Sequence, residues 1–188
     1  MAIIAAYLLT ALLLNTMADV SWRFRPCMPD FLKNNNYLYN LNSVCRIIFF
    51  SFFFQKAVEL FSIRRLRIFL SIYVIAAGIY LSVSERFLTL SSPLHVCESF
   101  ILLFFCITYL IKLIRAEQAF VAFDSYLLII SGLAIYESVN FFVYLFYQYL
   151  PDPESEFAHN IWYVPDVSFV IFCLFIARAF STRGKLET

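Results

Sequence analysis

The chain has 188 residues, of which 62% are hydrophobic and 14% charged, with 14 Lys and Arg against 13 Asp and Glu for a net charge of +1. Soluble domains carry roughly a quarter charged residues, so this composition excludes a water-facing globular surface and points to a bilayer. The near-neutral balance also excludes an electrostatic footprint for nucleic acid.

A hydrocarbon core about 30 Å thick needs around 20 apolar residues per helical crossing. The predicted architecture is an all-α, polytopic transmembrane helix bundle of six spans, forming a single transmembrane domain over residues 1–188. The first span covers 3–20; it lacks the basic n-region and small-x-small cleavage site of a secretory signal, so the expectation is that it is retained. An Asn/Tyr-rich stretch, Asn34 to Leu41, reads as a loop before the second span at 44–61, which is dominated by Ile47 to Phe54. Arg64, Arg65 and Arg67 read as a tight basic turn leading into the third span, 68–83, and these two spans form a helical hairpin.

The fourth span, 93–114, opens with Ser92 as its predicted N-cap and Pro93 at the first helical position, where a missing N–H costs nothing. The fifth covers 126–149 and stops at the breaker Pro151-Asp152-Pro153. The sixth, 161–180, leads into a polar tail, Ser181 to Thr188. Nine basic residues fall on one side of this threading: Lys56, Arg64, Arg65, Arg67, Lys112, Arg115, Arg178, Arg183 and Lys185. Five fall on the other, Arg23, Arg25, Lys33, Arg46 and Arg86, together with the acidic loop Asp152, Glu154, Glu156. The positive-inside rule then puts the C-terminus, and with six spans the N-terminus, in the cytoplasm. Trp22, Tyr37, Tyr39, Tyr147, Tyr149, Trp162 and Tyr163 lie where aromatic belts form.

Ionisable residues inside apolar runs are the candidate functional groups, because a charge at the bilayer centre costs about 2.5–3.5 kcal/mol on insertion scales. Glu137 lies deepest, and Asn140 and Tyr144 share its helical face. His95 and Glu98, one turn apart in the fourth span, Asp166 in the sixth, Arg46 at the outer end of the second and His159 in a loop are placed to converge toward the outer half. Two readings follow: a polar pocket for a small ligand, an ion or a proton, or helix-to-helix hydrogen bonding that fixes the bundle.

Two histidines and five cysteines with no C-x-x-C pair argue against a metal site or disulfide framework, and no motif calls for a cofactor. Gly-x-Ser-x-Gly is absent, so no enzyme class is indicated. Only three glycines, no Gly-x-x-x-Gly and no matching halves speak against a broken-helix transporter, although Glu137 keeps proton or cation coupling open. The Phe-rich run Phe49 to Phe54 reads as lipid-facing surface or packed core.

The order of features resembles a known group: an N-terminal span, Asn34-Asn35-Asn36-Tyr37-Leu38-Tyr39-Asn40-Leu41, a Phe-rich span, a basic turn, His95-x-x-Glu98-Ser99, Ser131-Gly132-Leu133-Ala134-Ile135-Tyr136 and Asn140-Phe141-Phe142. In these short motifs the chain is similar to small polytopic bacterial membrane proteins often encoded beside two-component sensor histidine kinases. Typical members carry one further span ahead of the first one here. The resemblance implies a sensor-like or accessory component of a bacterial inner-membrane signalling system, its partners being the bilayer and a membrane or cytoplasmic signalling protein. A small proton- or cation-coupled transporter or channel using Glu137 and a structural subunit of a larger membrane assembly are the alternatives.

Overall fold

The computed structural model describes residues 1–27, 35–58, 62–83, 90–115, 125–147 and 160–184. Six long helices account for nearly all of them: α1 (Ala2–Arg23), α2 (Asn36–Val58), α3 (Ile63–Val83), α4 (Ser92–Arg115), α5 (Ser125–Tyr147) and α6 (Tyr163–Gly184), with a 3₁₀ turn at Arg25–Cys27. No strand occurs among the described residues. All six helices are long and apolar enough to cross a bilayer, so the chain is a multi-pass membrane protein with the all-α architecture expected.

Helix boundaries differ from the expected ones for identifiable reasons. The second helix starts at Asn36, so most of the Asn/Tyr-rich stretch is helical rather than a loop. Asn is a modest helix former, but two of these side chains have tertiary work that offsets the propensity. Asn35 Nδ2 donates to the Ala18 carbonyl of α1 at 3.3 Å, and Asn40 Oδ1 accepts the backbone N–H of Ser91 at 3.2 Å. The basic residues Arg64, Arg65 and Arg67 are exposed and lie inside the first turns of α3, not in a turn before it. Ser62 caps that helix: its carbonyl accepts Leu66 N–H at 3.0 Å and its hydroxyl accepts Arg65 N–H at 3.5 Å.

In α4 the cap is Ser91, one residue earlier than expected, its carbonyl accepting Leu94 N–H at 3.1 Å and His95 N–H at 3.2 Å. Pro93 is therefore the second helical residue, still within the turn whose N–H groups lack intrahelical partners. The last helix continues to Gly184, into the expected tail, and Thr182 Oγ1 donates to the Arg178 carbonyl at 2.9 Å within that extra turn. The breaker Pro151-Asp152-Pro153, the acidic loop, Lys33, Arg86, His159 and Lys185 lie outside the described residues.

The chain divides into two compact units, Met1–Glu98 and Ser99–Thr188, the division falling within α4. In the first unit α2 packs against both α1 and α3. The first helix contributes Ile4, Tyr7, Ala11, Ala18 and Ser21, a stripe at helical spacing whose alanines allow close approach. Tyr7 meets the Phe50 ring edge-on at 4.9 Å, and Phe50, Phe53 and Phe54 continue the contact as T-shaped pairs at 6.1 and 5.7 Å. These three members of the Phe-rich run are packed core rather than lipid-facing surface. On the opposite faces, Leu9, Leu12, Leu13 and Met17 of α1 and Ile68, Ile72, Ile75 and Ile79 of α3 are exposed. Such aliphatic stripes suit acyl chains and would be costly in water.

The second unit is built on α5 packed along α6. Gly132 sets the approach: a Cβ there would stand 2.6 Å from Phe175 Cβ and 3.2 Å from Phe172 Cδ2. One turn on, Tyr136 stacks on Phe172 with centroids 5.6 Å apart and the planes at 9°. Trp162 receives Tyr147 at 4.8 Å and Tyr144 at 5.7 Å near the other end of α5.

Candidate functional site

Two polar clusters lie inside the spans, one in each unit. The first joins α2 to the opening turns of α4. Because α2 begins at Asn36, Arg46 sits near the middle of its helix rather than at an outer end, and it is only 2% exposed. A guanidinium cannot shed its proton, so at that depth it requires a counter-charge. Glu98, 0% exposed, supplies it in a fork: Arg46 Nε donates to Oε1 and Nη2 donates to Oε2 at 3.0 Å. Two-point pairing of this kind is the strongest form of charge-assisted hydrogen bond and fixes both side chains in orientation.

His95 approaches the same carboxylate from one turn earlier on α4, its Nδ1 3.6 Å from Glu98 Oε2. It too is buried, as is Tyr73 of α3, which lies within electrostatic reach of both Arg46 and Glu98. Two oxygens of one carboxylate thus face a permanent cation and a titratable imidazole. The Asn40–Ser91 bond ties the same two helices together where α4 begins.

The second cluster joins α4 to α5. Glu137 is buried at 0% exposure, and Ser99 Oγ donates to its Oε2 at 2.7 Å. Asn140 lies one turn further along α5, 1% exposed, with neither its Oδ1 nor its Nδ2 hydrogen-bonded among the described residues. Cys106 of α4 is also buried and electrostatically coupled to Glu137.

Of the sequence-derived candidates, Arg46, His95 and Glu98 come together in the first unit, and Glu137 and Asn140 share a buried face in the second. Tyr144 is half-buried, with its ring on Trp162. Asp166 is exposed in the first turn of α6, where the positive end of the helix dipole favours a carboxylate, and it does not belong to a buried pocket. Ser99 and Asn40 stand in the sequence motifs given above but not among the candidate site residues, and Tyr73 in neither. For Ser99 a signal existed, since it lies four residues after His95 and so on the same helical face; for Asn40 and Tyr73 only the tertiary contacts reveal a role.

Among the described residues no group of three or more His, Cys, Asp or Glu side chains could hold a metal ion. The fold and these clusters define the class: a multi-pass membrane helix bundle with ionisable groups sequestered inside its spans. No family model, curated protein or solved structure matches this chain.

Proposed function

We propose that the protein is a non-enzymatic, sensor-like or accessory component of a membrane signalling system, and that the Arg46–Glu98–His95 cluster is its responsive element. The observation carrying this reading is that Glu98 is shared: Arg46 Nη2 holds Oε2 at 3.0 Å while His95 Nδ1 stands 3.6 Å from the same oxygen. His95 and Arg46 therefore compete as donors for one carboxylate oxygen, and a shift of Glu98 between them redistributes the bonds linking α2 and α4. A buried network with two alternative pairings is the kind of bistable element a switch requires. Cys97 and Tyr73 are the other titratable groups in electrostatic reach of Glu98.

The exposed Arg64, Arg65 and Arg67 at the start of α3 form the output end in this reading, on the cytoplasmic side of a bacterial inner membrane, available to a signalling partner. The basic asymmetry supports that orientation more strongly than the raw tally. With Arg46 buried inside a span it no longer counts as a connection residue, leaving nine basic residues against four. Both termini are then cytoplasmic.

The test is hydrogen exchange of the 62–67 backbone in lipid nanodiscs in wild type, His95→Gln and His95→Leu. His95→Leu removes the second donor and should change the protection of this segment, whereas His95→Gln still donates to Glu98 and should stay close to wild type. Protection unchanged in His95→Leu would remove His95 as the responsive element and with it this reading.

A second reading, a small proton- or cation-coupled transporter, is favoured by one feature: a carboxylate buried at 0% exposure, Glu137, beside a buried carboxamide. Its discriminating measurement is proton or cation flux in proteoliposomes.

A further inference from the structure

The Ser99–Glu137–Asn140 cluster has a property that the sensor reading does not use. The carboxamide of Asn140 offers two donors and one acceptor oxygen, yet it is 1% exposed and neither atom is hydrogen-bonded among the described residues. Burying such a group unsatisfied is costly, and an apolar side chain of similar volume would avoid the cost entirely. Glu137 lies one turn away, also buried on α5, and Ser99 Oγ donates to its Oε2 at 2.7 Å.

What could satisfy Asn140 is constrained by its chemistry. A bare metal cation meets Oδ1 and repels the Nδ2 donors. An anion meets Nδ2 but faces Oδ1 and the carboxyl of Glu137. A hydroxyl group both donates and accepts, and the smallest hydroxylic ligand is water, which takes two to four hydrogen bonds when buried among polar groups.

We infer that Ser99, Glu137 and Asn140 form a buried site for a small hydroxylic ligand, water itself, held by the Asn140 carboxamide next to the Glu137 carboxyl. The bound water donates to Asn140 Oδ1, accepts from Nδ2 or is joined there by a second molecule, and provides Glu137 with an exchangeable hydrogen-bond partner inside the span. Ser99 orients the carboxyl by donating to Oε2. The site stands independently of the sensor reading, since it uses none of Arg46, His95 or Glu98.

The experiment uses the full chain in lipid nanodiscs, comparing infrared difference spectra in ordinary and heavy-oxygen water for wild type, Asn140→Leu and Ser99→Ala, with thermal unfolding of each. Wild type should show a sharp, isotope-shifted O–H stretching band of internal water. Asn140→Leu should abolish that band and lower the Tm by about 5 °C, as expected for loss of one to two buried hydrogen bonds. Ser99→Ala, which keeps Asn140, should retain the band at a shifted frequency and so preserves the test should Asn140→Leu fail to fold. A band unchanged in frequency and intensity in both variants, no band in wild type, or Asn140→Leu more stable than wild type would each overturn the site. The last result would mean that the carboxamide is simply unsatisfied, so that its removal relieves a desolvation penalty.

Discussion

Replacing Arg46 or Glu98 singly leaves one charge buried without its partner, and breaking a buried ion pair in this way costs about 3–5 kcal/mol. Both side chains are nearly inaccessible and the pairing is two-pointed, so the upper half of that range applies to the worse of the two variants. The worse one is predictable from chemistry. In Arg46→Met, Glu98 can take up a proton, become neutral and donate to a neighbour, whereas in Glu98→Gln the guanidinium of Arg46 stays charged. Snorkelling gives little relief, because Arg46 lies near the middle of α2 rather than at an end. At about 2–4 °C per kcal/mol for a chain of this size, the Tm in nanodiscs should fall by about 6–12 °C for Arg46→Met and by about 10–20 °C for Glu98→Gln. The double variant Arg46→Met/Glu98→Gln removes both charges and should return to within about 1–2 kcal/mol of wild type, since no uncompensated charge is left buried. Circular dichroism or intrinsic-fluorescence melting of the four proteins measures all of these. Single variants within about 1 kcal/mol of wild type, or a double variant showing the sum of the two single losses, would refute the claim that the two charges are coupled.

Three further outcomes are expected. Gly132→Ala should destabilise the α5–α6 pair by about 1–3 kcal/mol in thermal melts, because the new Cβ would stand 2.6 Å from Phe175 Cβ; Phe175→Ala retains that Cβ and should not rescue it, and a rescue would show the clash to lie further out on the ring. Single cysteines at positions 64–67 should label only with membrane-permeant maleimides in intact cells, and cysteines at 152–158 with impermeant ones; the reverse pattern would invert the proposed orientation. Glu137→Gln keeps a group able to accept from Ser99 and should melt within about 1 kcal/mol of wild type, whereas Glu137→Leu strands the Ser99 hydroxyl and should lose about 1–2 kcal/mol; proteoliposome flux present in wild type and abolished by Glu137→Gln at unchanged stability would favour the transporter reading over the sensor.

The number, order and approximate limits of the six helices are legible in the sequence because they follow from one-dimensional quantities. An apolar run of about 20 residues must satisfy its backbone internally as a helix to cross a bilayer, whatever it packs against. The suspicion attached to Glu137, His95 and Glu98 is legible for the same reason: a charge within such a run must find a partner or a function. Helix starts are less legible, since they depend on which polar side chain finds a distant backbone group. Asn40 reads as a loop residue until its Oδ1 is seen on Ser91 N–H, and Arg64, Arg65 and Arg67 read as a turn until Ser62 is seen capping the helix that contains them. That same lengthening of α2 moves Arg46 from the outer end of its helix to the middle, where it is a buried charge paired with Glu98, 52 residues away. Sequence periodicity assigns a residue to a face of its own helix but carries no information on what another helix presents there. Only the tertiary packing decided that Glu98 meets Arg46, that Glu137 meets Ser99, and that Asp166, chemically equivalent to either carboxylate, remains at the surface.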